Sequence, residues 1–259
     1  MRTTAILNLK GGVAKTTTAV NLAAILARDK KKKVLVIDAD AQCNLSEFLG
    51  RGTSPRYLFT LADALRSRRP GVPSPAADAI QHSRLAGVDL IPADESLMDL
   101  DLSKVEADSV NVRCLRELKA EIEDEYDFVL IDCPPAFNAA AAAALLAADD
   151  VVIPIKLDAF SLRGMANLTR QIANMRKLNP TLRVAGLLPT MLYRSEQITA
   201  SLAALRASKL PVYSGIRKTA KVDDMTYAQR PLIESSPKSA AAVDYRRFVT
   251  EYLGGAAHV

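Results

Sequence analysis

Short, unbroken apolar runs alternate with helix-length segments along the whole of this chain. Val34, Leu35, Val36 and Ile37 form one such row. Thr4–Leu9, Lys33–Asp38, Val88–Pro92, Phe128–Asp132, Val151–Ile155, Val184–Leu188 and Val212–Ile216 all read as strands. A strand with one wet face alternates apolar with polar residues. A continuous apolar run suits a strand covered on both faces, as in a parallel sheet. The segments between them, at 15–28, 107–123, 138–148, 161–177, 196–207 and 238–253, read as helices. This order predicts an α/β fold: a doubly wound, mostly parallel sheet flanked by helices, with right-handed crossovers. The length of 259 residues suits one large domain with a sizeable core, so 1–259 is read as a single unit. The stretch from Arg51 to Pro75 holds four prolines and is read as a surface excursion with a short helix near 60–67. The alanine run Ala139–Ala144 suits a helix lying close to the sheet.

Composition excludes several classes. No run of 18 apolar residues occurs, so no membrane-spanning helix is expected. Met1 to Leu9 enters a strand directly and lacks the parts of a signal peptide, which implies a cytoplasmic protein. The three cysteines, Cys43, Cys114 and Cys133, are odd in number and form no C-x-x-C, which argues against a disulfide framework or a zinc site. Lys and Arg exceed Asp and Glu by 34 − 29 = 5, a balance that permits a polyanionic partner without requiring one. The run Lys30–Lys33 is read as a solvated turn favoured by the dipole of the preceding helix.

The most informative segment is Lys10-Gly11-Gly12-Val13-Ala14-Lys15-Thr16-Thr17, set between the first strand and the first helix. Small residues let backbone N–H groups turn inward around phosphate oxygens, and the helix start adds aligned donors. In such a loop Lys15 reaches the terminal phosphates and Thr16 places its hydroxyl on Mg²⁺. The strict pattern G-x-x-x-x-G-K-[ST] is not met: position 9 is Leu and position 14 is Ala. Two acidic strand ends follow. Asp38 and Asp40 close the second strand, and Asp132 closes the run Phe128–Asp132 ahead of Cys133-Pro134-Pro135. Carboxylates at the C-terminal ends of parallel strands face the ligand crevice, and crowded carboxylates need a cation or protons.

Residues 10–16 resemble the deviant Walker A motif, K-G-G-x-G-K-[ST], of the ParA/MinD superfamily, with Ala14 replacing a glycine. Residues 38–44 resemble its D-x-D-P-Q-x-N stretch, with Ala41 replacing proline, and Asp132 to Pro135 matches its D-x-P-P. Residues 151–164, 186–190 and 230–241 continue the likeness, so it spans nearly the full chain. The likeness is to the small ParA branch, without an N-terminal helix-turn-helix.

The resemblance implies a P-loop NTPase fold and a Mg²⁺-dependent ATPase, slow until a partner stimulates it. ATP would be held by Lys10, Gly11, Gly12, Val13, Ala14, Lys15, Thr16 and Thr17, with Arg217 and Lys218 near the base. Lys10 would cross an ATP-sandwiched homodimer, Lys15 would stabilise charge and Asp40 would orient water. Thr16, Asp38 and Asp132 would manage Mg²⁺. The ATP dimer would bind DNA non-specifically through Arg194, Lys218 and Lys221, with Arg217, Arg246 and Arg247 as weaker candidates. A ParB-like centromere-binding protein would be the stimulating partner, and the protein would be nucleoid-associated. Three other readings stay open: a MinD-like membrane ATPase, a metal-delivery ATPase, and a nucleotide switch slowed by Ala14. The last helix, with Tyr245, Phe248, Val249, Tyr252 and Leu253, is read as packed on the sheet rather than on lipid.

Overall fold

A computed structural model describes residues 1–50, 59–66, 75–100, 102, 110–158 and 161–254, with the backbone alone at 161–163. The strands are β1 (Arg2–Ile6), β2 (Val34–Asp38), β3 (Gln81–His82), β4 (Val88–Ile91), β5 (Phe128–Asp132), β6 (Asp150–Lys156) and β7 (Arg183–Thr190). The helices are α1 (Lys15–Lys30), α2 (Asn44–Leu49), α3 (Leu61–Arg66), α4 (Cys114–Glu121), α5 (Ala139–Ala147), α6 (Ser161–Met175), α7 (Glu196–Arg206), α8 (Lys221–Ala228), α9 (Leu232–Ser235) and α10 (Ala240–Gly254).

The sheet order is β3-β4-β2-β5-β1-β6-β7, parallel except for β3. Both faces are covered, which is why the strands read as unbroken apolar rows. Leu35 and Ile37 point into one layer, with α3, α4, α5, α6 and α7. Val34 and Val36 point into the other, with α1, α2 and α10. Every residue of α5 is buried, so its alanines bring that helix close to the sheet. Asn138 caps its start by accepting from the Ala141 N–H.

At the N-terminal end of the strands, buried Asp150 accepts from the guanidinium groups of both Arg2 and Arg183. The Arg2 guanidinium also lies 3.9 Å from the centre of the Tyr252 ring and donates to the Tyr252 carbonyl at 3.1 Å. The chain's second residue and its last helix are thereby joined at one buried carboxylate.

Several expected boundaries move. β1 ends at Ile6 rather than Leu9, because the chain turns at Asn8, whose amide donates to the Pro154 carbonyl at 2.7 Å. Val212–Ile216 is not a regular strand. It meets β7 at one isolated bridge, Leu187 to Val212, and a second bridge, Leu192 to Arg217, follows just past both segments. An extra residue interrupts the ladder: the Tyr213 N–H donates to the Leu187 carbonyl, but the Ile216 N–H, rather than that of Gly215, donates to the Pro189 carbonyl, while the Ser214 N–H meets Glu251 at 2.8 Å. The expected helix at 107–123 is seen as α4, and residues 103–109 lie outside the described ones. The short helix near 60–67 is α3, while most of Arg51 to Pro75 lies outside the described residues.

Candidate functional site: a phosphate loop over paired carboxylates

Three central strands end side by side. Asp38 of β2 pairs in register with Asp132 of β5, and Ile6 of β1 flanks Asp132 on its other side. The loop after β1 crosses above them into α1. Asn8 accepts from the Lys10 N–H at 3.0 Å and so fixes where the loop begins. Gly12 sits at φ 68° and Ala14 at φ 70°, with Val13 between them. Positive φ at alternate residues curls successive N–H groups toward one centre, the geometry of an anion nest. Glycine accepts that conformation freely, whereas Ala14 carries the cost of its methyl group there. Thr190, buried at the end of β7, donates its hydroxyl to the Val13 carbonyl at 3.1 Å and pins the loop from outside.

Lys15 is buried, 7% exposed, and its Nζ donates to the Lys10 carbonyl at 3.3 Å. Burial lowers its pKa from the ordinary value, and the charges of Asp132 and Asp40 pull it back. The two strand-end carboxylates differ in their partners. Asp38 accepts from the Asp40 N–H, the Ser46 N–H and the Ser46 hydroxyl at 3.1, 2.8 and 2.7 Å. Burial still raises it to about 6. It thus holds the loop that carries Asp40. Asp132 is wholly buried, and neither of its carboxylate oxygens has a hydrogen-bond partner. Burial first and the neighbouring Asp38 second push its pKa well above the usual range, against the opposing pull of the Thr16 hydroxyl and Lys15. A buried carboxylate left this way is costly unless a cation answers it. Asp132 beside Thr16 therefore fits a divalent ion, with the remaining ligands supplied by water and phosphate.

Asp40 is half-buried and accepts from the Gln42 N–H at 3.1 Å. Lys10, across the loop, places its Nζ 2.7 and 2.5 Å from the two carboxylate oxygens of Asp158, just past β6. Among the described residues, no cluster of three or more His, Cys, Asp or Glu side chains could hold a metal by itself.

Beside the loop lies a cleft of about 280 Å³, lined by Ala14, Thr17, Thr190, Ile216, Lys218 and Tyr245 among others. It is mostly apolar, as a flat aromatic ligand requires. Lys218 lines it while its N–H donates to the Leu192 carbonyl at 2.8 Å. Arg217 also lines it, but its guanidinium grips Asp244 through two bonds of 2.8 Å.

The other basic candidates are spread out. Lys221 pairs with Asp224 at 2.8 Å, Arg246 pairs with Asp29 at 2.9 Å, and Arg194 and Arg247 are exposed. The structure places the phosphate-loop residues and both strand-end acids, Asp38 and Asp132, at the same end of the sheet. Sequence reasoning did not single out Asp158, Ser46 or Thr190. Ser46 and Thr190 are small polar residues with no pattern of their own. Asp158 lies 148 residues from Lys10.

Comparison with known proteins agrees with this geometry. A family model described as an AAA domain matches residues 1–184. The chromosome partitioning protein ParA of Caulobacter vibrioides is 36% identical over 98% of this chain and 94% of its own. Among solved structures, apo McdA of Cyanthece superposes with a TM-score of 0.83 at 26% identity, covering 98% of this chain and 100% of that one. Cobyrinic acid a,c-diamide synthase of Mycobacterium smegmatis, with bound ATP analog and magnesium, superposes at 0.81 and 27% identity, covering 98% and 94%. The chain belongs to the ParA/MinD superfamily of P-loop ATPases, within its ParA family.

Proposed function

We propose that this chain is a DNA-partition ATPase whose ATP-bound homodimer grips DNA non-specifically and whose hydrolysis releases it. The observation that carries the ATPase reading is Asp132: a wholly buried carboxylate with both oxygens unpartnered, beside Thr16 and Lys15 beneath the loop. The loop N–H groups and Lys15 bind the phosphates, and Thr16 and Asp132 hold Mg²⁺. A Mg²⁺ ion held by these two residues would offset the charge of the phosphates. Asp40, held by the turn that Asp38 anchors, orients the attacking water. Lys10 reaches the nucleotide of a second copy, so that charge stabilisation depends on dimerisation. The relatives named for chromosome partitioning support DNA as the track. In this reading the stimulator is a ParB-like centromere-binding protein.

The membrane-bound alternative is disfavoured by α10. Tyr245, Phe248, Val249 and Tyr252 are buried in the core layer against α1, so they are not available to a bilayer. No described helix is long and apolar enough to cross a membrane. Co-sedimentation with DNA, run beside liposome flotation, tests the proposal. Binding to DNA with ATP but not with ADP, and no flotation, is the expected pattern. DNA binding that is the same without nucleotide, or ATP-dependent flotation, overturns it.

A further inference from the structure

The cleft beside the loop has a wall that is one short helix. That wall is α8, which contributes Val222 and Asp223 to the cleft of about 280 Å³. The opposite side of α8, through Met225, Thr226 and Gln229, lines a second cavity of about 250 Å³ with Thr16 and Thr17. So α8 stands over the N-terminal turn of α1 with a cavity on either side. It rests on α9, which follows it, and on the partly buried Val222 against the α1 layer. Its C-terminal end is tied through Gln229, which accepts from Arg84 at 2.7 Å and donates to the Glu47 carbonyl at 3.3 Å. Of its eight residues only Met225 is buried.

Met225 accepts a bond from a polar side chain, Asn21 of α1, itself wholly buried. The Asn21 amide donates to the Met225 sulfur at 3.3 Å and to the Thr17 carbonyl at 2.8 Å. Its oxygen accepts from the Leu232 N–H, at the start of α9, at 3.0 Å. Both amide hydrogens and the oxygen are thus engaged. A polar group in this position is costly unless every bond is made, and when they are made it fixes a unique arrangement. One side chain joins the first turn of the phosphate-binding helix to α8 and to α9.

We infer that Asn21 is a positioning residue: through Met225 it sets where α8 stands, and thereby the width of the cleft that receives the base. Asn21 lines neither cavity. Through Met225 it acts on the part of the ligand that α8 faces, while its bond to the Thr17 carbonyl stays within α1, so the Met225 variants separate base recognition from phosphate recognition. This rests on the reading of the cleft as the base site of an ATPase.

The test compares Mg·ATP with Mg·tripolyphosphate, which has the phosphates and no base, by calorimetry on the full chain. The wild type is expected to prefer ATP. Asn21→Leu is expected to weaken ATP binding about tenfold, the scale of one or two lost hydrogen bonds, while tripolyphosphate affinity stays within about twofold. Asn21→Leu also leaves the buried Leu232 N–H without its acceptor, so Met225→Ala, which preserves that bond, is the second arm and is expected to show the same base-selective loss. Met225→Leu, which keeps the buried bulk but removes the sulfur that Asn21 bonds, is expected to show a smaller loss that is again selective for ATP, and full ATP affinity in it overturns the role of Asn21. Equal losses for both ligands, or full ATP affinity in Met225→Ala, overturn the inference. A wild type that binds tripolyphosphate as tightly as ATP overturns the base-cleft reading beneath it instead.

Discussion

Lys10 and Asp158 form an ion pair across the mouth of the crevice, with the lysine Nζ 2.7 and 2.5 Å from the two carboxylate oxygens. If Lys10 serves the nucleotide of a second copy, this contact must open first. The side chains are 35% and 29% exposed, so solvent screens the pair and its worth is below about 1 kcal/mol. Each of the two copies must open its pair, so Asp158→Asn should let ATP-dependent dimers form at a protein concentration lower by up to about thirtyfold. Lys10→Ala should remove ATP-dependent dimerisation. Sedimentation velocity across a concentration series reads both. A weaker dimer in Asp158→Asn would mean that the carboxylate guides Lys10 across the interface rather than holding it back.

Ala14 is the loop's departure from glycine, at φ 70° and ψ 36°. The left-handed region costs a residue with a Cβ about 1–2 kcal/mol. Glycine at this position pays some of that back in the entropy of the unfolded chain. Ala14→Gly should then raise stability by about 1 kcal/mol, read as a higher urea midpoint at unchanged slope. Because Ala14 also lines the cleft, the same variant should turn over ATP faster if the methyl group slows hydrolysis. A lower urea midpoint would show that the surrounding loop has adapted to alanine.

Asp132 makes stability and activity pull in opposite directions. Without a cation its buried carboxylate has no hydrogen-bond partner, and Asp38 lies beside it in register. Asp132→Asn removes the charge and keeps the shape. It should stabilise the metal-free protein by about 1–3 kcal/mol while abolishing Mg²⁺-dependent hydrolysis. Differential scanning calorimetry in EDTA and a phosphate-release assay give the two readings. Lys15→Ala should lose nucleotide binding altogether. Asp40→Ala should keep it and accumulate the ATP dimer; normal hydrolysis in that variant would remove Asp40 from the mechanism.

How much of this was legible depends on how far apart the partners lie. β2 and β5 were readable because four apolar residues stand together in each and end in Asp, and the structure places Asp38 and Asp132 side by side. The phosphate loop was readable because its donors are consecutive. Val212–Ile216 looked like a strand because it is apolar, but an extra residue between Tyr213 and Ile216 spoils its register with β7, and the Ser214 N–H finds its acceptor in Glu251, 37 residues away. β3 is two polar residues, Gln81 and His82, whose only strand-like property is a partner. Arg217 was readable as a cation but not as one already held by Asp244, 27 residues on. Local periodicity reports burial; it does not report which distant group completes a polar side chain's bonds.

The Asp150 junction predicts a loss of stability without a loss of function. Arg2→Ala leaves the buried carboxylate with Arg183 alone and removes the cover over the Tyr252 ring. A cost of about 1–3 kcal/mol follows from the lost charge-assisted bond and ring contact. Asp150 opens β6, at the end of the strands opposite the loop, so ATP affinity should not change. A matching drop in ATP affinity would show that α10 transmits strain from Tyr252 to Tyr245 at the cleft.

Lys221 begins α8 and is exposed, and its ammonium pairs with Asp224 one turn on. An exposed pair of this kind is worth little, so phosphate can displace it. If the ATP dimer neutralises roughly four DNA phosphates, affinity should fall about a hundredfold between 50 and 200 mM salt. Lys221→Ala removes one contact from each copy, and the slope of log affinity against log salt should become shallower by about two. Asp224→Ala frees the same ammonium and should strengthen DNA binding, which a loss of folding could not do. Fluorescence anisotropy with duplexes of unrelated sequence measures both slopes. An unchanged slope in Lys221→Ala, together with no gain in Asp224→Ala, would move the DNA contact away from α8, toward exposed Arg194 and Arg247.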